Sequence, residues 1–389
     1  MARIVGGHNS ELREFRVAVV TYPFHDEVGR ATLSNFIEVV ERVSKEVYVI
    51  TGALPVWPNS NVHVIRLNTD VHKGPLIVRV MKAELVDLTT AFHLIRIRRR
   101  VDVVIFHIGT AVHIWSLLAA RLSGKETSQC VTGLFSTGAR QRYNRAIQIA
   151  GRFLEVTRLS ILDQVAVQSP ACVGGMGLER YKDKIAINGA VHIDTDLFRP
   201  TRDFDKRENV VGYVGRLIGG KGIMEFLDAV PIILKSRDDV SFLIGGGGPL
   251  QDRIVDSLER NHLGNKVRLA GLIPHDEVPN HLNSLKLLVL PSVGEGLPGI
   301  VQEAMACGTV VLATPVGGVP DLIMDGETGF ILEKSTPECI ADGVLRALSH
   351  PNLGRIGENA RRLIEREYSR DAMVEKCRIV LDELMARRK

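Results

Sequence analysis

Val210-Val-Gly-Tyr-Val-Gly-Arg-Leu-Ile-Gly-Gly-Lys-Gly222 runs from an apolar, strand-forming stretch into a glycine-rich turn with two cations, Arg216 and Lys221. Residues Ile223–Leu234 follow with apolar side chains at helical spacing. Strand, glycine turn and helix in that order open a βαβ unit, and such a turn lets the backbone approach a ligand closely. Gly215 to Lys221 nearly fits the phosphate-loop spacing GxxxxGK(S/T). Gly222 stands where a Ser or Thr would hold Mg²⁺, so an ATPase reading is discarded. A plain βα turn with two solvent-facing cations fits the same residues.

The same alternation extends outward in both directions. Downstream, strand-like runs fall at Ser241–Ile244, Val267–Leu269, Lys286–Leu290 and Thr309–Leu312, separated by helical patterns such as Leu250–Glu259 and Ile300–Ala306. Upstream they fall at Val17–Thr21, Val47–Thr51, Val62–Arg66, Val101–Ile105, Gln129–Thr132 and Gln164–Gln168. Helical patterns Ala31–Val43, Leu76–Arg98 and Thr110–Leu122 lie among these. Near-continuous apolar strands between helices mean parallel sheets covered on both faces. The polar stretch from Phe198 to Asn209, with Pro200, reads as a linker. We therefore expect two doubly wound, Rossmann-like α/β domains, 1–199 and 200–370, facing a cleft. Three amphipathic helical stretches from about Pro337 close the chain, and 371–389 is expected to pack back toward the first domain.

Length and composition agree: 389 residues with 45% apolar and 24% charged side chains leave material for two cores and exclude a mostly disordered chain. A net charge of +4 is too mild for a nucleic-acid binder. Its distribution is uneven. Residues 1–199 carry 25 basic and 18 acidic side chains, whereas residues 200–389 carry 24 and 27. The basic front half, with Arg96, Arg98, Arg99, Arg100, Arg140, Arg142, Arg145 and Arg152, points to an anionic partner or an anionic membrane surface, or else to solvated surface charge. Five scattered cysteines without a CxxC pair give neither a disulfide framework nor a zinc site. The start, Met1–Phe15, lacks the apolar core of a signal peptide, and Val101–Leu122 holds too many polar residues to span a bilayer. The expectation is a cytoplasmic protein, at most peripheral at the inner face of the membrane.

Two further segments bear on chemistry. Ile244-Gly-Gly-Gly-Gly-Pro-Leu250 is a tight turn without GxGxxG spacing. Pro291-Ser-Val-Gly-Glu-Gly-Leu-Pro-Gly-Ile-Val-Gln-Glu-Ala-Met-Ala-Cys-Gly308 is more informative. Pro298 suits the first turn of a helix that Gly308 ends. Free amides near Gly299 and Ile300 favour a phosphate. Glu295 in the loop and Glu303 one turn into the helix flank that site, and each can accept hydroxyl hydrogen bonds. A solvated loop Glu and an ordinary helix Glu give the same sequence. His25, His107, His113 and His192 sit near strand ends without metal-ligand spacing.

Taken together and in this order, these segments resemble the retaining nucleotide-sugar glycosyltransferases of family 4, of GT-B architecture. The motifs that carry the resemblance are Gly215-Arg-Leu through Lys221-Gly222, the E-x7-E pair Glu295 and Glu303, Gly317-Gly318 after a strand, and Asn188–Phe198, which is similar to the family's hinge segment. The resemblance covers roughly residues 160–335, and the front half by pattern alone. It implies transfer of a sugar from a nucleoside-diphosphate sugar to the hydroxyl of a carbohydrate or lipid-linked acceptor. Arg216 and Lys221 would bind the diphosphate and Glu295 the sugar hydroxyls, as the catalytic set. Gly215, Gly299, Ile300 and Glu303 would bind the donor, with Glu303 on the ribose. No metal or other cofactor is implied. The first βα loop, Tyr22–Arg30, has one Gly where the family often has two, Cys130–Phe135 lacks the family's His, and Asp321 stands where a Glu is usual. An epimerase on the same architecture, or a non-catalytic sugar-nucleotide-binding subunit, are the rival readings.

Overall fold

The computed structural model describes residues 15–22, 27–52, 54, 57–67, 74–107, 109–110, 113–134, 145–188 and 192–387. His25, Arg140, Arg142 and residues 23–26 of the first βα loop lie outside the described residues. The chain divides into two compact units that interleave in sequence: Met1–Ala166, Asp183–Ala186 and Cys377–Lys389 form one, and Val167–Lys182 with Ile187–Lys376 form the other.

Among the described residues the elements run β1 Phe15–Val20, α1 Glu27–Arg42, β2 Ser44–Thr51, β3 Val62–Arg66, α2 Leu76–Ile97, β4 Val103–Phe106, α3 Trp115–Leu122, β5 Glu126–Val131, α4 Arg145–Ile161, β6 Gln164–Val167, α5 Pro170–Met176 and β7 Ile185–Ile187. They continue with β8 Val210–Val214, α6 Ile223–Ser236, β9 Ser241–Gly245, α7 Gln251–Arg260, β10 Val267–Gly271, α8 Val278–Ser284, β11 Leu287–Leu290, α9 Gly299–Ala306, β12 Val310–Ala313, α10 Val319–Leu322, β13 Phe330–Ile331, α11 Pro337–Leu348, α12 Leu353–Glu367 and α13 Arg370–Ala386.

One sheet has seven strands in the order β3-β2-β1-β4-β5-β6-β7, the other six in the order β10-β9-β8-β11-β12-β13. The pairings are parallel, with Val17 beside Val47 and Val103 in the first sheet and Leu287 beside Val211 and Val310 in the second. This is the doubly wound order expected, with a switch of direction beside β1 and beside β8. In the second unit α6, α7 and α11 bury Phe226, Ile254 and Val344 on one face of the sheet, while α8, α9 and α12 bury Leu282, Val301 and Ile364 on the other. The continuous apolar runs of β8, β11 and β12 follow from this two-sided cover.

Two boundaries differ from the sequence reading for a shared reason. Strand β5 begins at Glu126 and not at Gln129, because its polar side chains are buried yet partnered: the Thr127 hydroxyl donates to Asp163 at 2.8 Å and the Ser128 hydroxyl to Gln164 at 2.8 Å. Helix α3 begins at Trp115 and not at Thr110, because the Asp87 carboxylate of α2 accepts from the Trp115 and Ser116 amides at 2.8 and 3.0 Å. The determinant of each boundary sits on another element. Pro298 precedes α9 as its cap and is not in its first turn.

Candidate functional site

In an open parallel sheet a ligand meets the carboxyl ends of the strands. In the second unit the loops after β8, β9, β11 and β12 leave those ends and are tied together by their backbones. The Gly215 amide donates to the Gly245 carbonyl at 2.9 Å and the Leu217 amide to the Gly247 carbonyl at 3.0 Å. The Val293 amide donates to the Gly220 carbonyl at 3.0 Å, and the Gly318 amide to the Gly296 carbonyl at 2.6 Å. Such contacts need glycine at two places in particular. Gly222 has φ +71° and no room for a Cβ beside the Pro291 carbonyl; Gly317 has φ +57° and none beside the carbonyls of Glu295 and Gly296. The glycine-rich segments thus form one interlocked rim.

Onto this rim the structure brings Lys221 and Glu295 together. Their Nζ and Oε1 are 2.7 Å apart, with the two side chains 18% and 11% exposed. Arg216, on the same turn, is exposed, and among the described residues its guanidinium has no hydrogen bond or ion pair. Beneath it the buried Tyr213 hydroxyl donates to the Arg216 carbonyl at 3.0 Å. Burial, and then the charge of Glu295, push that phenol above its ordinary range. A loose cation beside a held one leaves a place for an anion with more than one charged oxygen.

Gly299 and Ile300 open α9, where first-turn amides have no intrahelical acceptor. Glu303 projects from the next turn. Its Oε1 lies 3.3 Å from Nε2 of His275, a residue that the sequence reading did not single out. His275 sits in the loop after β10 with its ring edge-on to Phe198, centroids 5.3 Å apart. The hydrogen bond to Glu303 raises its pKa above the ordinary histidine value. The signal available in the sequence was its place just beyond a strand of the ligand-bearing edge.

Other expected groups are elsewhere. Asp321 accepts from the Ala171 amide at 2.7 Å and so holds the start of α5. Gln168 accepts from the Leu297 amide at 3.0 Å and steadies the loop that carries Glu295. In the first unit His107 and His113 are buried, and burial drives their pKa values down to about 3 and about 4. His192 is buried in the second unit beside Arg370. Among the described residues no group of three or more His, Cys, Asp or Glu is placed to hold a metal ion.

Residues 194–370, which contain this rim, match the family model described as glycosyl transferases group 1. Glycosyl transferases are also what the chain resembles among curated proteins: 34% identity over 165 residues to the alpha-D-kanosaminyltransferase of Streptomyces kanamyceticus, covering 42% of each chain. The capsular polysaccharide biosynthesis glycosyltransferase CapM of Staphylococcus aureus is 32% identical over 162 residues, covering 41% of this chain and 42% of CapM. The chain spans less than half the length of the curated relatives it matches. Solved glycosyltransferase-fold structures are matched more fully. Anabaena Alr3699/HepE, in complex with UDP, superposes with a TM-score of 0.73 at 15% identity over 95% of this chain and 100% of that one. Sucrose-phosphate synthase of Thermosynechococcus elongatus superposes with a TM-score of 0.74 at 19% identity over 96% and 100%. The fold is GT-B, and residues 194–370 include its second sheet.

Proposed function

We propose that this protein moves a sugar from a nucleoside-diphosphate sugar to an acceptor hydroxyl, with retention of anomeric configuration and without a metal. The observation that carries the reading is the pair of cations, Lys221 held by Glu295 and Arg216 free beside it, on the interlocked glycine rim of a group 1 domain. As the glycosidic bond to the diphosphate breaks, negative charge grows on the leaving phosphate. Arg216, Lys221 and the first amides of α9, at Gly299 and Ile300, receive that charge and lower the barrier. The two cations take the role that a divalent ion would otherwise fill.

In this reading the Glu303 carboxylate accepts from the nucleotide ribose and Glu295 from hydroxyls of the sugar, while Gly215 lets the phosphates approach the backbone. Glu295 then has two tasks. It orients Lys221 with one oxygen and has the other free for a sugar hydroxyl. The acceptor is a carbohydrate or a lipid-linked molecule, met at the cytoplasmic face of a membrane, and the basic front half of the chain supports that reading. Alr3699/HepE has been crystallised with UDP and with UDP-glucose, which makes UDP-sugars the first donors to try.

The test is product analysis over a panel of UDP-, GDP- and ADP-sugars, before and after dialysis against EDTA. Transfer with retained configuration and full activity after EDTA is expected. Activity lost to EDTA and restored by Mg²⁺ or Mn²⁺ would remove metal independence from the reading. Conversion of the donor sugar without an acceptor would replace transfer by epimerisation. Calorimetry on two variants separates the carboxylates: Glu303→Gln weakens the free diphosphate and the intact donor alike, and Glu295→Gln weakens the intact donor more.

A further inference from the structure

In the first unit helices α2, α3 and α4 belong together. Helix α2 packs against α3 and caps its start through Asp87, and the buried Arg158 of α4 feels the charge of the same Asp87. Each of these helices turns one face inward, and α2 buries Val86, Asp87, Thr90, Ala91, Leu94 and Ile97 there. Its opposite face is also apolar. Ile77, Met81, Leu85, Leu88, Phe92 and Ile95 are between 45% and 71% exposed. Their spacing of three and four residues keeps them on one narrow stripe, about 27 Å long at 1.5 Å per residue.

A helix that is apolar all round belongs in a core or against an apolar partner. A stripe of this size left open to water marks an interaction surface. The charges around it choose the partner. Along residues 77–100 Glu84 is the exposed acidic side chain and accepts from the Trp115 indole, whereas Arg96, Arg98, Arg99 and Arg100 at the end of the stripe are all exposed. The outer face of α4 repeats the pattern, with Arg145, Ile149, Arg152 and Phe153 exposed at helical spacing. Apolar stripes edged by arginine fit a surface that is anionic outside and apolar beneath. No described helix is long and apolar enough to cross a membrane, so a bilayer would be met at its surface. Asp87 and Thr90, buried on the inner face, fix which side stays with the protein.

We propose that α2 lies in the plane of an anionic lipid bilayer, with Met81, Leu85, Leu88 and Phe92 among the acyl chains and Arg96 and Arg98–Arg100 at the phosphate headgroups. This goes beyond sugar transfer and does not rest on it. Binding is read without donor or acceptor, so either reading can fail alone.

The experiment is flotation with vesicles of phosphatidylcholine and phosphatidylglycerol in equal parts, against vesicles of phosphatidylcholine alone. The protein should float with the anionic vesicles. Leu88→Glu/Phe92→Glu should lower partitioning at least about tenfold, since two anchors leave the apolar layer. Arg98→Ala/Arg99→Ala should lower it about fivefold per arginine on the anionic vesicles only. All four positions are exposed, so circular dichroism and melting should match the parent. Absence from anionic vesicles at low salt, or unchanged flotation of Leu88→Glu/Phe92→Glu, overturns the proposal. So does light scattering that finds a dimer which the same double substitution dissociates, since the stripe would then face a second copy of this chain.

Discussion

Lys221 and Glu295 hold each other with side chains that are largely buried, so removing either strands the other. Arg216 has no such tie. The two cations should therefore separate in their effects. Arg216→Ala is expected to lower turnover about 10²–10³-fold, the usual cost of losing one charge-stabilising group, with melting unchanged. Lys221→Ala should lower turnover as far and also lower the melting temperature, because it leaves the Glu295 carboxylate without its cation. Steady-state kinetics beside thermal melts decide this. Near-normal turnover of both variants at saturating donor would remove the phosphate site from this turn. His275 makes a second residue-scale test. Its bond to Glu303 favours the protonated ring, so the folded pKa stands above the ordinary value of about 6.5. The contact adds stability that is full below the unfolded pKa and is lost as pH rises through the raised folded value. With the ring 70% exposed, that contribution is small. Titration of the His275 ring followed by NMR should give an elevated pKa that falls toward the ordinary value in Glu303→Gln. An unchanged value in that variant would mean that another group raises it.

Elements explain what could be read without coordinates. Strands β8, β11 and β12 are apolar without interruption, because both faces of the second sheet are covered, and the motif glycines follow them directly. That coincidence of pattern and turn chemistry made the loops of the glycine rim legible. Three things were not. The start of β5 depends on Asp163 and Gln164, the start of α3 on Asp87, and the contact of Glu303 depends on His275, all partners remote in sequence. Asp321, marked in the sequence as a departure, turns out to hold the start of α5. Gly222 shows how strictly one element constrains the next. It caps α6 with φ +71° and leaves no room for a Cβ beside the Pro291 carbonyl. Gly222→Ala should cost about 1–2 kcal/mol from the left-handed backbone alone, and more once Pro291 is pushed aside. Since Pro291 leads into the loop of Glu295, weaker donor binding should accompany the loss. Urea unfolding and calorimetry on the same variant test both. A variant as stable as the parent would mean that the turn adopts another backbone path.

Across the whole molecule the two units share the chain unequally. Residues 377–389, at the far end of the sequence, belong with the first unit. There Cys377, Val380, Leu381 and Leu384 are buried, and the Val380 carbonyl accepts from the Gln164 side chain at 3.1 Å. Burial pushes the Cys130 and Cys377 thiols up to about 12, as suits packed rather than reactive sulfur. Each buried aliphatic side chain contributes roughly 1.5–3 kcal/mol, an upper figure because the unfolded chain is not fully extended. Losing three of them removes about 5 kcal/mol, comparable with the whole stability of an ordinary domain. A chain ending at Lys376 should therefore lose its first unit selectively. Hydrogen exchange is expected to show protection lost from β1, β4, β5 and β6 and kept in β8, β9, β11 and β12. Nucleotide binding should survive, because Arg216, Lys221, Glu295 and Glu303 all lie in the unit that stays folded, whereas transfer should vanish if the front half receives the acceptor as proposed. Full protection of β1 and β4 in the shortened chain would mean that the last helix is a passenger on the first unit. Protection lost evenly from both sheets would mean that the two units fold as one.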